Sequence, residues 1–280
     1  MTIATKDLVV GLHESIHHLD EKLDLHDMKR VLEQKLETTK HELPSGLPRC
    51  LLGTRQHTLS KILDWIICGK ESLLWLSGVA GSGKSSVMAT LHDYLKTMGC
   101  SSHLAAYIRF RRSHFETPSK FVQALIYQLA RFDNSLGGVI AQAMKDDSIL
   151  SLPLSHQLQS LFIQPLKMHK PDINEQMQIV VLIDGLDECM EEAGGSDTFR
   201  ELLALLAYLA SPETFHSFPF LRFIVASRPE DIIYKAFVTS SQHTFHLCLD
   251  TSSPETTADI FNYLTAKFTE IFQENDGFRE

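Results

Sequence analysis

The stretch LLWLSGVAGSGKS (residues 73–85) joins an apolar run to a glycine-rich turn that closes on Lys-Ser. Its second part, GVAGSGKS (78–85), satisfies the pattern GxxxxGK[ST], and the following KSSVMATLHDYLKTM has helical spacing. A strand before and a helix after are the setting in which this pattern carries meaning. Gly78, Gly81 and Gly83 let the backbone curl so that successive N–H groups face an anion, and the helix N-terminus adds its dipole. Lys84 is placed for the β- and γ-phosphates of a nucleotide, and the Ser85 hydroxyl for Mg²⁺. Val79, Ala80, Ser82 and Ser86 complete the loop and first helical turn that would surround the phosphates. The bland alternative, a glycine-rich turn with no ligand, does not account for the flanking elements.

A second stretch, IVVLIDGLDEC (179–189), ends an apolar run with three carboxylates, Asp184, Asp187 and Glu188. They repel one another and need a counter-charge. Mg²⁺ takes oxygen ligands and keeps several waters, and open α/β sheets bind ligands at the carboxyl ends of their strands. Asp184, the first acid after the run, is placed for the metal's water shell. Asp187 or Glu188 would orient and deprotonate an attacking water. A third stretch, IVASRPE (224–230), brings Arg228 to the end of another strand, where a guanidinium can contact a γ-phosphate. Alone, these would read as a helix cap and as a surface Arg before a turn.

Around these motifs, apolar runs alternate with helical stretches. LAAYIRF (104–110), MQIVVLID (177–184), LRFIVAS (221–227) and TFHLCL (244–249) read as buried strands. Thr117-Pro118 and Ser253-Pro254 mark helix starts. The alternation predicts an α/β fold with a mostly parallel sheet covered on both faces. Upstream, Leu12, Ile16, Leu19 and Leu23, then Leu25, Met28, Leu32 and Leu36, form two apolar stripes at 3–4 spacing with a phase slip. This amphipathic arm is too polar to be a core, so it is expected to pack on a partner chain, on another domain or in a short coiled coil. HELPSGLPRCLLGT follows as a linker. The domain reading is an arm and linker over 1–45, a core over 46–250, and the start of a helical region, cut short, over 251–280.

Composition narrows the classes further. The 280 residues carry 26 basic and 35 acidic side chains, a net −9, which argues against broad nucleic-acid binding. No apolar run approaches the ~20 residues of a membrane span, and the N-terminus has no secretory pattern. Five scattered cysteines without CxxC spacing suggest reduced thiols and a cytoplasmic location.

LLWLSGVAGSGKS, VVLIDGLDEC and FIVASRPE in this order resemble the NACHT family of STAND-type P-loop NTPases, fungal members with a nephrocystin-3-like N-terminal region in particular. CLLGTRQHTLSKILDWI, HLAAYIRFRRSHF, FVQALIYQLARFD and HQLQSLFIQPLK fit the same group, so the resemblance covers about residues 48–250. It implies a three-layer P-loop NTPase with five parallel strands in the order 5-1-4-3-2. Gly78 through Ser85 would be Walker A, Asp184 Walker B with Asp187 and Glu188 as the further acidic pair, and Arg228 sensor 1. The GTR phrase would border the adenine, which makes Arg55 a nucleotide contact. ATP, in preference to GTP, and Mg²⁺ are the implied cofactors. A role in fungal innate immunity is implied by the family alone.

Two further patterns are set aside. HESIH (13–17) matches the zinc-protease helix HExxH, but a third ligand is missing and Glu37 would lie roughly 30 Å along the helix from His17. Arg109, Arg111, Arg112 and His114 form a small basic patch that reads as a solvated loop; Trp65 and Trp75 read as core. The sequence therefore predicts an ATP-binding, slowly hydrolysing signal-transduction NTPase that acts as an assembly switch, with self-association or a partner protein engaging the N-terminal helix. A small-molecule phosphotransferase and a nucleotide-binding scaffold without turnover are the alternatives.

Overall fold

The computed structural model describes residues 26–36, 46–97, 102–110, 118–168, 178–189, 196–239 and 243–274. The first apolar stripe, the HESIH pattern, residues 41–45 of the linker, Cys100, and Arg111, Arg112 and His114 lie outside these residues. Contacts divide the chain into two units, one of Met1–Lys40 with Ser119–Asp172, the other of His41–Pro118 with Ile173–Glu280.

The first unit is helical. Helix α1 (26–35) is followed by α4 (Pro118–Phe132), α5 (Asn134–Ala143), α6 (Leu154–Leu158) and α7 (Gln164–Met168), with a π turn over Gln159–Ile163 between the last two. Asp133 caps α5 by accepting from the Leu136 N–H at 2.8 Å, the arrangement that satisfies one orphan amide of a first turn. The second apolar stripe is used inside this unit, where Met28, Leu32 and Leu36 are buried. Lys35 ties α1 to the segment after α5, donating to the Met144 carbonyl and pairing with Asp147 at 2.5 Å.

The second unit contains the sheet. Helix α2 (Gln56–Cys68) leads into β1 (Leu73–Ser77), then α3 (Lys84–Thr97) and β2 (Ser102–Arg109). Later come β3 (Gln178–Asp184), α8 (Ser196–Leu209), α9 (Pro212–Ser217), β4 (Leu221–Ser227), α10 (Asp231–Tyr234), β5 (Thr244–Cys248) and α11 (Pro254–Glu274). All four strand pairings are parallel and the order is β2-β3-β4-β1-β5, the P-loop NTPase arrangement that the sequence resemblance implies.

β1, β3 and β4 are buried at every position, as near-continuous apolar strands in a doubly covered sheet must be. One face packs Leu74, Leu76, Val180, Leu182 and Ile224 against Leu59, Ile62 and Ile66 of α2 and Val87, Met88 and Leu91 of α3. On the other face Trp75 meets Tyr234 and Phe237 edge-on. Trp65 and Trp75 are core, as read from sequence. TFHLCL departs from its reading. It forms an edge strand paired only with β1, in which Phe245 and Leu247 are partly buried against the core, His246 and Cys248 are exposed, and only the following Leu249 is buried. Among the described residues no helix is long and apolar enough to cross a membrane.

Candidate functional site

Because the sheet is parallel, every strand delivers its carboxyl end to one edge. Ser77 at the end of β1 lies in register with Ser227 of β4, Asp184 of β3 with Ala226, and Arg109 of β2 with Asp184. The glycine-rich loop leaves β1 at this edge and returns as α3, which begins at Lys84. Gly81 and Gly83 have φ of +76° and +94°, a region where a Cβ would be strained.

A cavity of about 300 Å³ opens here, lined by Ala80, Gly81, Gly83, Lys84, Ser85, Ser86, Asp184, Gly185, Asp187, Glu188 and Arg228. The fold thus brings together the loop, the acidic strand end and the strand-end arginine that the sequence singles out. Gly78 and Val79 accept the Lys84 ammonium through their carbonyls, at 2.7 and 3.0 Å. Burial lowers the pKa of Lys84, against the opposing pull of the Asp187, Asp184 and Glu188 carboxylates.

Asp184 is 1% exposed. Ser85 Oγ donates to its Oδ1 at 3.1 Å and Tyr107 Oη to its Oδ2 at 3.4 Å, while Arg109 Nε stands 3.6 Å from Oδ2. Burial pushes its carboxyl up to about 6, although Ser85, Arg109 and Tyr107 all favour the charge. Asp187 faces the other way. Its Oδ1 accepts the Arg228 backbone N–H at 3.0 Å and its Oδ2 pairs with Arg228 Nε at 3.2 Å. The two members of the acidic pair therefore have different surroundings, a distinction that sequence alone leaves open.

The donor set suits a hard cation. Ser85 Oγ and an Asp184 oxygen adjoin, Asp187 and Glu188 line the same cavity, and neither sulfur nor imidazole is present. Among the described residues no group of three or more His, Cys, Asp or Glu forms a metal cage. Mg²⁺ is commonly held by one or two protein oxygens together with waters and substrate phosphates.

Arg55 lies on the outer side of the loop, donating through Nη2 to the Ser82 carbonyl at 2.9 Å and through Nη1 to Thr256 Oγ1 at 3.0 Å. It also lines a second cavity, of about 560 Å³, with Gln56, His57, Lys61, Leu249 and Asn262 among its neighbours. Arg109, read from sequence as part of a solvated basic loop, is instead the last residue of β2 and stands against Asp184, and Tyr107 is a further contact of Asp184 that the sequence reading did not assign. The strand order of the resemblance contains the signal, because it puts β2 beside β3 and so the end of one beside the end of the other.

The family described as Nephrocystin 3, N-terminal, matches residues 53–228, well over half of the chain. No curated protein matches. Among solved structures, the Walker-type ATPase PABY2304 of Pyrococcus abyssi is similar at 16% identity and a TM-score of 0.48, over 82% of this chain and 63% of that one. The Aeropyrum pernix ORC2 protein in its ADP form gives 13% and 0.40, over 75% and 50%. Drosophila ORC bound to DNA gives 14% and 0.38, over 79% and 47%. This chain thus spans less than two thirds of the length of each. The stretch matched by the family runs from the turn before α2, through the glycine-rich loop and the acidic strand end, to Arg228, and by that match the chain belongs to the nephrocystin 3 N-terminal family.

Proposed function

We propose that this chain binds a nucleoside triphosphate, ATP in preference to GTP, with Mg²⁺, hydrolyses it slowly, and uses its nucleotide state to control assembly. The observation that carries the reading is the convergence of Ala80, Gly81 and Gly83 through Ser86 of the glycine-rich loop, Asp184, the Asp187–Glu188 pair and Arg228 on one cavity. The loop N–H groups and the α3 N-terminus would hold the phosphates. Lys84 would exchange the Gly78 and Val79 carbonyls for phosphate oxygens. Ser85 and Asp184 would hold Mg²⁺, which supplies charge neutralisation at the β- and γ-phosphates when bound.

Glu188 is the preferred water-activating base. Asp187 already serves Arg228 through both of its oxygens, so its task is to hold that arginine at the strand end. The Arg228 pair uses Nε, so the terminal nitrogens of its fork are not needed for it and suit an incoming anion. The kinship to NACHT-type STAND NTPases and a cytoplasmic location belong to this proposal. Cys50, Cys68, Cys189 and Cys248 are not joined in disulfides, and the scattered spacing of the cysteines favours a reducing compartment. Self-association through the N-terminal arm would use its first apolar stripe, since the second is buried within its own unit.

The test is phosphate release from ATP and Mg²⁺ by the purified chain, with binding measured alongside. Lys84→Ala should lose nucleotide affinity, and Glu188→Gln should keep affinity and lose turnover. Unchanged affinity in Lys84→Ala would sink the phosphate-loop reading. Elution on size exclusion that is identical with ADP and with a non-hydrolysable ATP analogue would count against the switch.

A further inference from the structure

Among the described residues, Arg55 is the only non-glycine residue with a positive φ, at 56°. It stands at the N-cap of α2 without a side-chain cap, its carbonyl accepting the first helical bond from Leu59 at 2.9 Å. A left-handed arginine costs on the order of 1 kcal/mol and persists only where its surroundings over-determine it. The surroundings here are three bonds to two other elements. The backbone N–H of Arg55 donates to Asp259 Oδ2 at 2.9 Å, and Nη1 to Thr256 Oγ1 at 3.0 Å, both on α11. Nη2 donates to the Ser82 carbonyl of the phosphate loop at 2.9 Å.

The last bond decides the orientation of a peptide. No described peptide is cis, and in a planar trans unit the C=O of one residue and the N–H of the next point in opposite directions. With the Ser82 carbonyl held by Arg55, the N–H of Gly83 is turned away from Arg55. Gly83 lines the cavity at the strand ends and has a φ of +94°, so its peptide has a freedom that something else must remove. Arg55 removes it from outside the loop.

Thr256 is in turn fixed. Its hydroxyl donates to the Asp250 carbonyl at 2.7 Å and its N–H is capped by Ser253 Oγ at 3.1 Å. The arginine therefore bridges the first turn of α11 and the loop that would hold phosphates.

We propose that Arg55 is a positioning residue that sets the Ser82–Gly83 peptide for phosphate binding and couples the first turn of α11 to occupancy of the loop. The proposal rests on the phosphate-loop reading and deepens it. Anything that pulls Gly83 towards an anion tightens the Ser82 carbonyl on Arg55, and through it the grip on Thr256 and Asp259. Conversely, a displaced α11 leaves the Gly83 peptide free to rotate.

The experiment titrates inorganic tripolyphosphate and ADP, each with Mg²⁺, into the parent chain and into variants by calorimetry. Amide exchange over residues 254–262 is followed with and without ligand. Arg55→Ala should weaken both ligands by about tenfold, the value of one charge-assisted positioning contact. Arg55→Lys should recover part of the tripolyphosphate affinity, because an ammonium can still reach the Ser82 carbonyl. Thr256→Val keeps that carbonyl contact, so affinity should fall by no more than about threefold, while ligand should cease to slow exchange in the α11 turn. Loss of ADP affinity alone, with tripolyphosphate bound as by the parent, would make Arg55 a base contact and overturn the proposal. So would a Thr256→Val chain whose α11 turn still responds fully to ligand.

Lys84→Ala separates the two levels. If it loses both ligands while Arg55→Ala and Arg55→Lys keep them, only the Arg55 inference falls. If the parent binds neither ligand, or Lys84→Ala binds both as the parent does, the phosphate-loop reading falls with it. Should Arg55→Ala fail to fold, Arg55→Lys and Thr256→Val carry the same decision.

Discussion

At Asp184 chemistry and stability pull against each other. The carboxyl is 1% exposed and burial holds it near 6, above the 3.8 of an unperturbed aspartate. A carboxyl raised in this way keeps its proton longer in the folded chain than in the unfolded one. Between about pH 4 and pH 6 the folded state therefore binds more protons, and stability falls as pH rises through that window. At neutral pH the ionised group costs roughly 3 kcal/mol. Asp184→Asn should accordingly raise the melting temperature of the nucleotide-free chain by roughly 5 °C at pH 7.5, with the gain vanishing near pH 4. Thermal melts of both proteins across that range check it, and an equal gain at both ends would refute the buried-charge account. The position of Asp184 was legible because it rests on local pattern, an apolar run broken by an acid. Its partners Arg109 and Tyr107 were not, because they reach it across a strand pairing separated by more than seventy residues.

Among the elements, α5 carries two adjacent glycines that packing treats in opposite ways. A Cβ on Gly137 would sit 2.3 Å from the Ala130 carbonyl oxygen and 2.7 Å from Met28 Sδ, so α4 and α1 approach the helix at this point. A Cβ on Gly138 would meet nothing within 4 Å. Alanine is the better helix former by about 1 kcal/mol at either position. Gly138→Ala should therefore stabilise by up to about 1 kcal/mol, whereas Gly137→Ala should destabilise by roughly 1–3 kcal/mol because backbone must shift. Urea unfolding of the two variants decides it, and the same sign for both would refute the close approach. Periodicity identified the helices and the buried central strands, since a run of apolar residues records two covered faces. It misread β5 for the same reason. Its apolar residues do not record how far the helices cover its faces; edge position is not the cause, since β2, the other edge strand, is buried from Ala105 to Ile108.

At the scale of the whole molecule, the sequence reading draws a boundary at 45/46, whereas the contacts join Met1–Lys40 to Ser119–Asp172. A stripe such as Met28, Leu32 and Leu36 announces a face to be covered but not the distant segment that covers it. The same limit applies to α11, where the fold leaves an apolar face in solvent. Ile260, Phe261, Leu264, Phe268, Ile271 and Phe272 fall within about 120° of the helix circumference at ~3.6 residues per turn, and each is roughly half exposed or more, Phe261 at 69%. Half-buried Asp259 lies roughly opposite the stripe, and buried Thr256 lies one turn before Ile260 in the first helical turn; both are partners of Arg55. The helix is thus held at its first turns by Arg55 and exposes the apolar stripe along the rest of its length. Six large side chains in one stripe exceed the scattered exposure normal for a soluble surface. The chain should therefore bind a hydrophobic reporter dye in its native state, and Phe261→Asp with Phe268→Asp should remove most of that signal by splitting the stripe. Neither residue touches the phosphate loop, so ADP affinity should stay within about twofold of the parent. Dye fluorescence unchanged in the double variant would place the exposed apolar surface elsewhere. A tenfold loss of ADP affinity with fluorescence abolished would instead mean that this face supports the Thr256 and Asp259 grip on Arg55.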